Sequence, residues 1–382
     1  MIILNFLKTY FEQRFLSKSF LKNKKVIRFG ITDKDEEDKV SVLINRVPFY
    51  FPSYGIDVVT DKNFINLSGE KNLPIICTDS FFNFALNAGF DRDMLFNVDH
   101  ESNPVDGWEW NHLLMVLTSE DKKNRLMHSK SIFRKKCREL MRNKLNRSYI
   151  FGTGPSLSDA IGMNWNDGYR IVANTIVKDP ILWKHISPHI LVAGDAIYHF
   201  GNTLYAESFR NDLRSRFKED PNFIFVYPYD YDVIACREFG QYIDRLVPIP
   251  LGGHNMINVN LLSNFQLPLL GNVLPLLLLP VASTLSKEVY LWGFDGRNPK
   301  DKLFWSNSKK HSYGELMIDL QKKHPAFFAN NVPVNDPLKY VKETLGEKFD
   351  LLLSNAENSG WKYIMMHKSW TPALQERFKS SC

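Results

Sequence analysis

One stretch, Ser148-Tyr149-Ile150-Phe151-Gly152-Thr153-Gly154-Pro155-Ser156-Leu157-Ser158-Asp159, restricts the fold more than any other. A short apolar run passes into glycines, and the glycines into a serine with an acidic residue three places on. This is the order of a buried strand, a tight turn and a capped helix start. Gly152 and Gly154 lack Cβ, so backbone amides there can approach a ligand and adopt positive φ. Pro155 fixes φ and has no donor, and Ser156 or Ser158 can cap the following helix. The orphan amides and positive dipole of that helix start suit a phosphate. The same residues also suit an ordinary strand-to-helix loop. The spacing is not G-x-G-x-x-G and no P-loop lysine follows, which excludes a dinucleotide fingerprint and a Walker motif.

Further apolar runs end in polar residues. Tyr169-Arg170-Ile171-Val172-Ala173-Asn174, His189-Ile190-Leu191-Val192-Ala193-Gly194-Asp195 and Val289-Tyr290-Leu291-Trp292-Gly293-Phe294-Asp295 each read as a buried strand with Asn174, Asp195 or Asp295 at its tip. Ligands of open parallel sheets bind at such carboxyl ends.

At 382 residues the chain exceeds what one core organises, and a hydrophobic fraction of 44% is ample for burial, which excludes a disordered chain. The expected division is an amphipathic helix over 1–24, a small α/β domain over 25–118, a basic helical connector over 119–147 and an α/β domain with the anion-binding turn over 148–382. In the small domain, Val26–Gly30, Val40–Ile44, Asp57–Thr60 and Leu73–Asp79 read as strands and Ser80–Ala88 as a helix. Near the C-terminus, Asp350–Ser354 reads as a strand. Cys77, Cys137, Cys236 and Cys382 are widely spaced, without metal-ligand spacing, which suggests free thiols and a cytoplasmic location.

Segment 1–24 alternates apolar residues with lysines too often to span a bilayer. It suits either the surface of an anionic membrane or packing on its own domain. Residues 119–147 are dense in Lys and Arg and contribute heavily to the net charge of +6. A solvated connector, or attraction to a phosphate-rich acceptor or the inner membrane face, accounts for that density. No nucleic-acid recognition motif is present in the sequence.

Gly152-Thr153-Gly154-Pro155-Ser156-Leu157, the strand ending in Asn174, Gly271-Asn272-Val273 opening a helix, and the strand ending in Asp295 together resemble the bacterial sialyltransferases of glycosyltransferase family 42. Related G-x-G-P-S-L domains occur in capsule and lipopolysaccharide glycosyltransferases, some using CMP-Kdo, and in an archaeal pterin pyrophosphokinase-like group. The resemblance covers the C-terminal half to two-thirds of the chain. It implies an α/β protein of two Rossmann-like domains, the second a sialyltransferase-like (GT-A variant or GT-B-like) nucleotide-sugar domain.

The implied activity is inverting transfer of a nonulosonate or Kdo residue from a CMP-activated donor to a bacterial glycan or glycolipid. Neither metal nor resident cofactor is implied. Gly152, Thr153, Gly154, Pro155 and Ser156 would hold donor phosphate or ribose, and Asn174 the nucleotide or sugar. Asp195 would meet ribose or acceptor, while Gly271, Asn272, Asp295 and Trp305 would line the donor site. A histidine would act as base, because imidazole titrates near neutrality. By position that is His324, or else His311. The family often has Asn where Thr153 stands, an Arg where Gln266–Leu270 runs, and tyrosines where Trp305 falls. Asp230-Tyr231-Asp232 is a D-x-D tripeptide outside the motifs of the resemblance. The other readings are a pyrophosphokinase on the same fold and a non-catalytic nucleotide- or glycan-binding protein.

Overall fold

The computed structural model describes residues 26–64, 74–118, 121–298, 310–331 and 346–378. The chain forms two compact units, Met1–Thr118 with Lys322–Asn330, and Ser119–Gln321 with Asn331–Cys382. Both are α/β, and every strand ladder among the described residues is parallel, compatible with Rossmann-like domains. The expected helix over 1–24 lies outside the described residues.

The smaller unit is built on strands β1 (Val26–Ile31), β2 (Gly55–Thr60), β3 (Ile75–Cys77) and β4 (Leu95–Asn97), in the order β2-β1-β3-β4. Phe81, from the helix Asp79–Asn87, packs over Gly30, where a Cβ would come within 2.3 Å of the ring. Val40–Ile44, expected as a strand, belongs instead to the helix Glu37–Ile44. Val40, Leu43 and Ile44 are buried and Val42 is exposed, so the apolar spacing is i, i+3, i+4 rather than alternating.

The larger unit holds β5 (Arg147–Phe151), β6 (Tyr169–Ala173), β7 (Ile190–Val192), β8 (Ile224–Pro228), β9 (Leu246–Ile249), β10 (Glu288–Trp292) and β11 (Lys362–Met365). Their order is β11-β10-β5-β6-β7-β8-β9. The chain steps outward from β5 to β9, returns to lay β10 on the free side of β5, and adds β11. The strand order therefore reverses between β5 and β10, where open parallel sheets offer a ligand crevice.

Two expectations for this unit change. The helix Lys122–Met141 is no solvated connector. It buries Ser129, Phe133, Cys137 and Leu140 on the sheet, and Ser129 Oγ donates to the carbonyl of Pro248 at 2.6 Å. Asp350–Ser354 is not a strand but part of the helix Glu347–Asn358, with Phe349, Leu353 and Ala356 buried one turn apart and Leu351 exposed. A short Leu run fits either element, and the buried periodicity decides between them. No helix among the described residues is long and apolar enough to cross a membrane.

Candidate functional site

The strand tips of the larger unit come first. β5 runs into Gly152, Thr153 and Gly154 and then into the 3₁₀ helix Pro155–Gly162. Three amides of this turn are spent inside the protein. Gly152 N–H donates to the carbonyl of Trp292 at 2.8 Å and Gly154 N–H to that of Gly293 at 2.8 Å. Ser156 N–H points to both carboxylate oxygens of Asp295, at 3.2 and 3.3 Å. The anion seated at this helix start is therefore Asp295 itself.

The glycines serve the same junction. A Cβ on Gly152 would lie 2.5 Å from the Gly293 carbonyl, and one on Gly154 would lie 2.1 Å from Asp295 Oδ2. Gly293 holds φ +78°, with the Gly152 carbonyl 2.4 Å from where its own Cβ would be. Close approach of two loops at the β5/β10 crevice, rather than of backbone to phosphate, is what removes the side chains here.

A residue outside the expected set completes this corner. Ser156 Oγ lies 2.8 Å from Asp295 Oδ2 and 2.8 Å from Nε2 of His367, just beyond β11. Gly293 N–H donates to that same Nε2 at 3.0 Å, while Nδ1 faces the carbonyl of Lys368 at 2.8 Å. A carbonyl only accepts, so the network assigns the ring proton to Nδ1 and leaves Nε2 an acceptor. One serine hydroxyl thus stands between the His367 ring nitrogen and a carboxylate. His367 follows Tyr363-Ile364-Met365-Met366, an apolar run ending in a polar residue, so the strand-tip pattern was available in the sequence.

The β6 and β7 tips form the other half. Asn174 takes the left-handed conformation, φ +52°, and its Oδ1 is buried without a protein hydrogen-bond partner among the described residues. Left-handed geometry costs a non-glycine residue about 1–2 kcal/mol, and such strain concentrates at functional sites. Its neighbour Thr175 donates its hydroxyl to the carbonyl of His311.

His311 is 1% exposed, not part of an exposed loop. Its Nε2 lies 3.2 Å from Ser158 Oγ on the helix after the glycine turn, and its buried Nδ1 has no protein partner among the described residues. Burial holds its pKa below the ordinary 6.5, so the ring is neutral at neutral pH. Lys178 Nζ clamps the segment by donating to the Ser312 carbonyl at 2.5 Å, and the Tyr313 hydroxyl by donating to Asp212 at 2.5 Å.

Asp195, at the β7 tip, accepts from the amides of Ile197 and Tyr198 at 3.0 and 3.3 Å and so caps the following π turn. Desolvation nonetheless pushes its carboxyl up to about 7, against the pull of those amides. Gly271 has open space around its Cβ direction, and Asn272 Oδ1 accepts from Leu274 N–H at 2.9 Å. These two residues start a helix by an ordinary side-chain cap.

His324 is bound within other surroundings. It lies in the smaller unit, 2% exposed, with Nδ1 2.8 Å from Asp106 Oδ1. Arg46 Nη1 holds the other Asp106 oxygen at 2.8 Å, and its Nη2 donates to the Lys323 carbonyl. Positional spacing along the chain suggested His324 because it cannot register that residues 322–330 fold back onto the first unit. Trp305 lies outside the described residues. Asp232 of the D-x-D tripeptide is bound by Arg125 at 2.9 Å and by the Tyr227 hydroxyl at 2.7 Å, so its carboxylate is occupied by a structural pair. Comparison of the chain with protein-family models, with curated proteins and with solved structures finds no match.

Proposed function

We propose that the larger unit is an inverting glycosyltransferase that moves a nonulosonate or Kdo residue from its CMP-activated donor to a bacterial surface glycan. The observation that carries this reading is the β6 tip. Asn174 is held in a left-handed conformation with a buried carbonyl oxygen that no described residue hydrogen-bonds, one residue from the Thr175 contact to His311. An unpaired buried polar atom costs about 1–3 kcal/mol, and a nucleotide or sugar hydroxyl at the strand tips would pair it.

In this reading His311 replaces His324 as the base. Nδ1 or Nε2 takes the proton of the acceptor hydroxyl as that oxygen attacks the anomeric carbon, and CMP leaves. The anomeric carbon is inverted by this single displacement. Ser156, Asp195 and Asp295 are the donor-side polar groups. Because Asp295 sits on the Ser156 amide, a donor phosphate would have to bind beside that carboxylate or displace it.

A thermal-shift titration with CMP, UDP, GDP and ATP, each with and without magnesium, tests the reading. A ligand specific for the folded state stabilises it by about 2.7 kcal/mol at a hundredfold excess over its dissociation constant. Stabilisation by CMP alone, indifferent to magnesium, is expected; stabilisation only by ATP with magnesium selects the pyrophosphokinase. With a CMP-sugar donor, His311→Ala should slow transfer about 10²–10⁴-fold. The parent rate should be level above pH 6.5 and fall on the acid side, where His311 gains its proton.

The Ser156–His367 pair favours a second reading, in which Ser156 is a nucleophile with His367 as its base. Labelling of Ser156 by a fluorophosphonate, lost in His367→Ala, would select it.

A further inference from the structure

We propose that the outward face of the helix Lys122–Met141 is a docking surface for an anionic phospholipid bilayer. Ser129, Phe133, Cys137 and Leu140 fix which side of this helix faces the sheet. At 100° per residue, Arg134, Lys135, Arg138 and Arg142 then fall on the outward half, and all four are exposed. Glu139 is the one acidic residue of that helix, and no ion pair engages the four cations among the described residues. Arg134, Arg138 and Arg142 repeat at i, i+4 and i+8, a spacing at which like charges repel and weaken the helix. Arg134 Nη2 donates to the Leu262 carbonyl at 3.3 Å, whereas Lys135, Arg138 and Arg142 have no hydrogen-bond or ion-pair partner among the described residues and stand open to an external anion.

Arg134, Lys135, Arg138 and Arg142 crowd into about 12 Å of helix rise, and a surface carrying several anionic headgroups side by side complements that density of charge. Met127, 54% exposed on the same arc, adds an apolar group at the level where acyl chains begin. The arc holds no Phe, Tyr or Trp on which bases could stack, which disfavours single-stranded nucleic acid. Anionic headgroups attract each nearby Lys or Arg within a Debye length. This inference does not depend on the activity of the strand-tip site.

The test is cosedimentation of the full chain with phosphatidylcholine vesicles, with and without phosphatidylserine, at low and high salt. Binding to the anionic vesicles alone, weakened by salt, is expected. The triple variant Lys135→Glu, Arg138→Glu, Arg142→Glu should lose about 5-fold in partitioning per cation, roughly 100-fold in all. A control of equal charge change, Lys184→Glu, Lys218→Glu, Lys348→Glu, should stay within a few-fold of the parent. The glutamine version of the first triple, closer in shape and free of new charge, should lose binding in the same order even if the glutamate version misfolds.

Absence of anionic-vesicle binding by the parent overturns the proposal, as does equal loss in the two glutamate triples. Residues 1–24 are present in every variant, so binding carried by them alone would leave the first triple unaffected and also overturn it. Displacement of the protein from vesicles by inorganic phosphate, or tighter binding to a single-stranded oligonucleotide at the same salt, would assign the cluster to another anion and reject the bilayer.

Discussion

His324 in the smaller unit and His311 in the larger are equally buried, at 2% and 1% exposure, and desolvation lowers the pKa of both. Burial and titration therefore do not separate them, whereas their hydrogen bonds do. His324 is tied to Asp106, Asp106 to Arg46, and Arg46 to the Lys323 carbonyl, so each group neutralises or satisfies the next. His311 touches one serine hydroxyl and keeps a buried nitrogen without a protein partner among the described residues, and the Asn174 side-chain oxygen is in the same condition. The first arrangement cross-links the chain; the second keeps polar groups that no described residue pairs.

The largest expected effect breaks the cross-link. Asp106→Ala leaves Arg46 charged and buried without a counter-ion, and should cost about 3–5 kcal/mol in denaturant unfolding. A loss under about 1 kcal/mol would mean that the cluster is not structural and would dissolve the contrast with His311. Next comes Gly293→Ala, which places a side chain at φ +78° and 2.4 Å from the Gly152 carbonyl. Left-handed strain and overpacking together should cost about 2–4 kcal/mol, and any nucleotide-dependent stabilisation should vanish as the β5/β10 junction opens.

The pH dependence sharpens the comparison from the ligand side. Asp195, raised to about 7 when folded, binds its proton more tightly than in the unfolded chain, so its contribution to stability is lost as pH rises from 4 to 7. His100 and His199, held at about 4 and about 3, act in the opposite sense: the unfolded chain takes their protons first, and stability falls as pH drops below 6.5. Asp195→Asn keeps an oxygen for the Ile197 and Tyr198 amides but removes the buried charge. It should be more stable than the parent near pH 8, with the difference shrinking by up to about 1.4 kcal/mol per pH unit below 7. A difference independent of pH would show that Asp195 is not the titrating group.

The smallest effect concerns Asn174. Substitution by glycine relieves the left-handed strain and should raise stability by about 1 kcal/mol, while abolishing the ligand-induced shift. Destabilisation would mean that the asparagine side chain is held for the fold rather than for a ligand.

Much of the larger sheet was legible. The runs ending at Phe151, Ala173, Val192 and Trp292 are strands of one parallel sheet; those ending at Ala173 and Val192 are buried on both faces and carry near-continuous apolar runs. β8 and β9 were not among the expected elements, although Ile224–Pro228 carries the same kind of run. The helices Glu37–Ile44 and Glu347–Asn358 were misread, since five apolar or mixed residues do not distinguish a period of 2 from one of 3.6. Within the site, Asn174, Ser156 and Asp295 were marked by their positions at strand ends. The partner of Ser156, His367, was missed because the strand ahead of it was assigned to the wrong segment.

The amino-acid sequence by itself determined the parallel α/β class and the strand–glycine–helix junction after β5, because apolar periodicity and the absence of Cβ act locally. It could not decide what the glycines are for, or which histidine is free. Those depend on atoms far apart in the chain: the β10 loop fills the amides of the β5 turn, and residues 322–330 return to the first unit and bind His324 to Asp106. Hydrogen-bond saturation is a property of the assembled neighbourhood, so only the tertiary structure separated the occupied polar groups from the open ones.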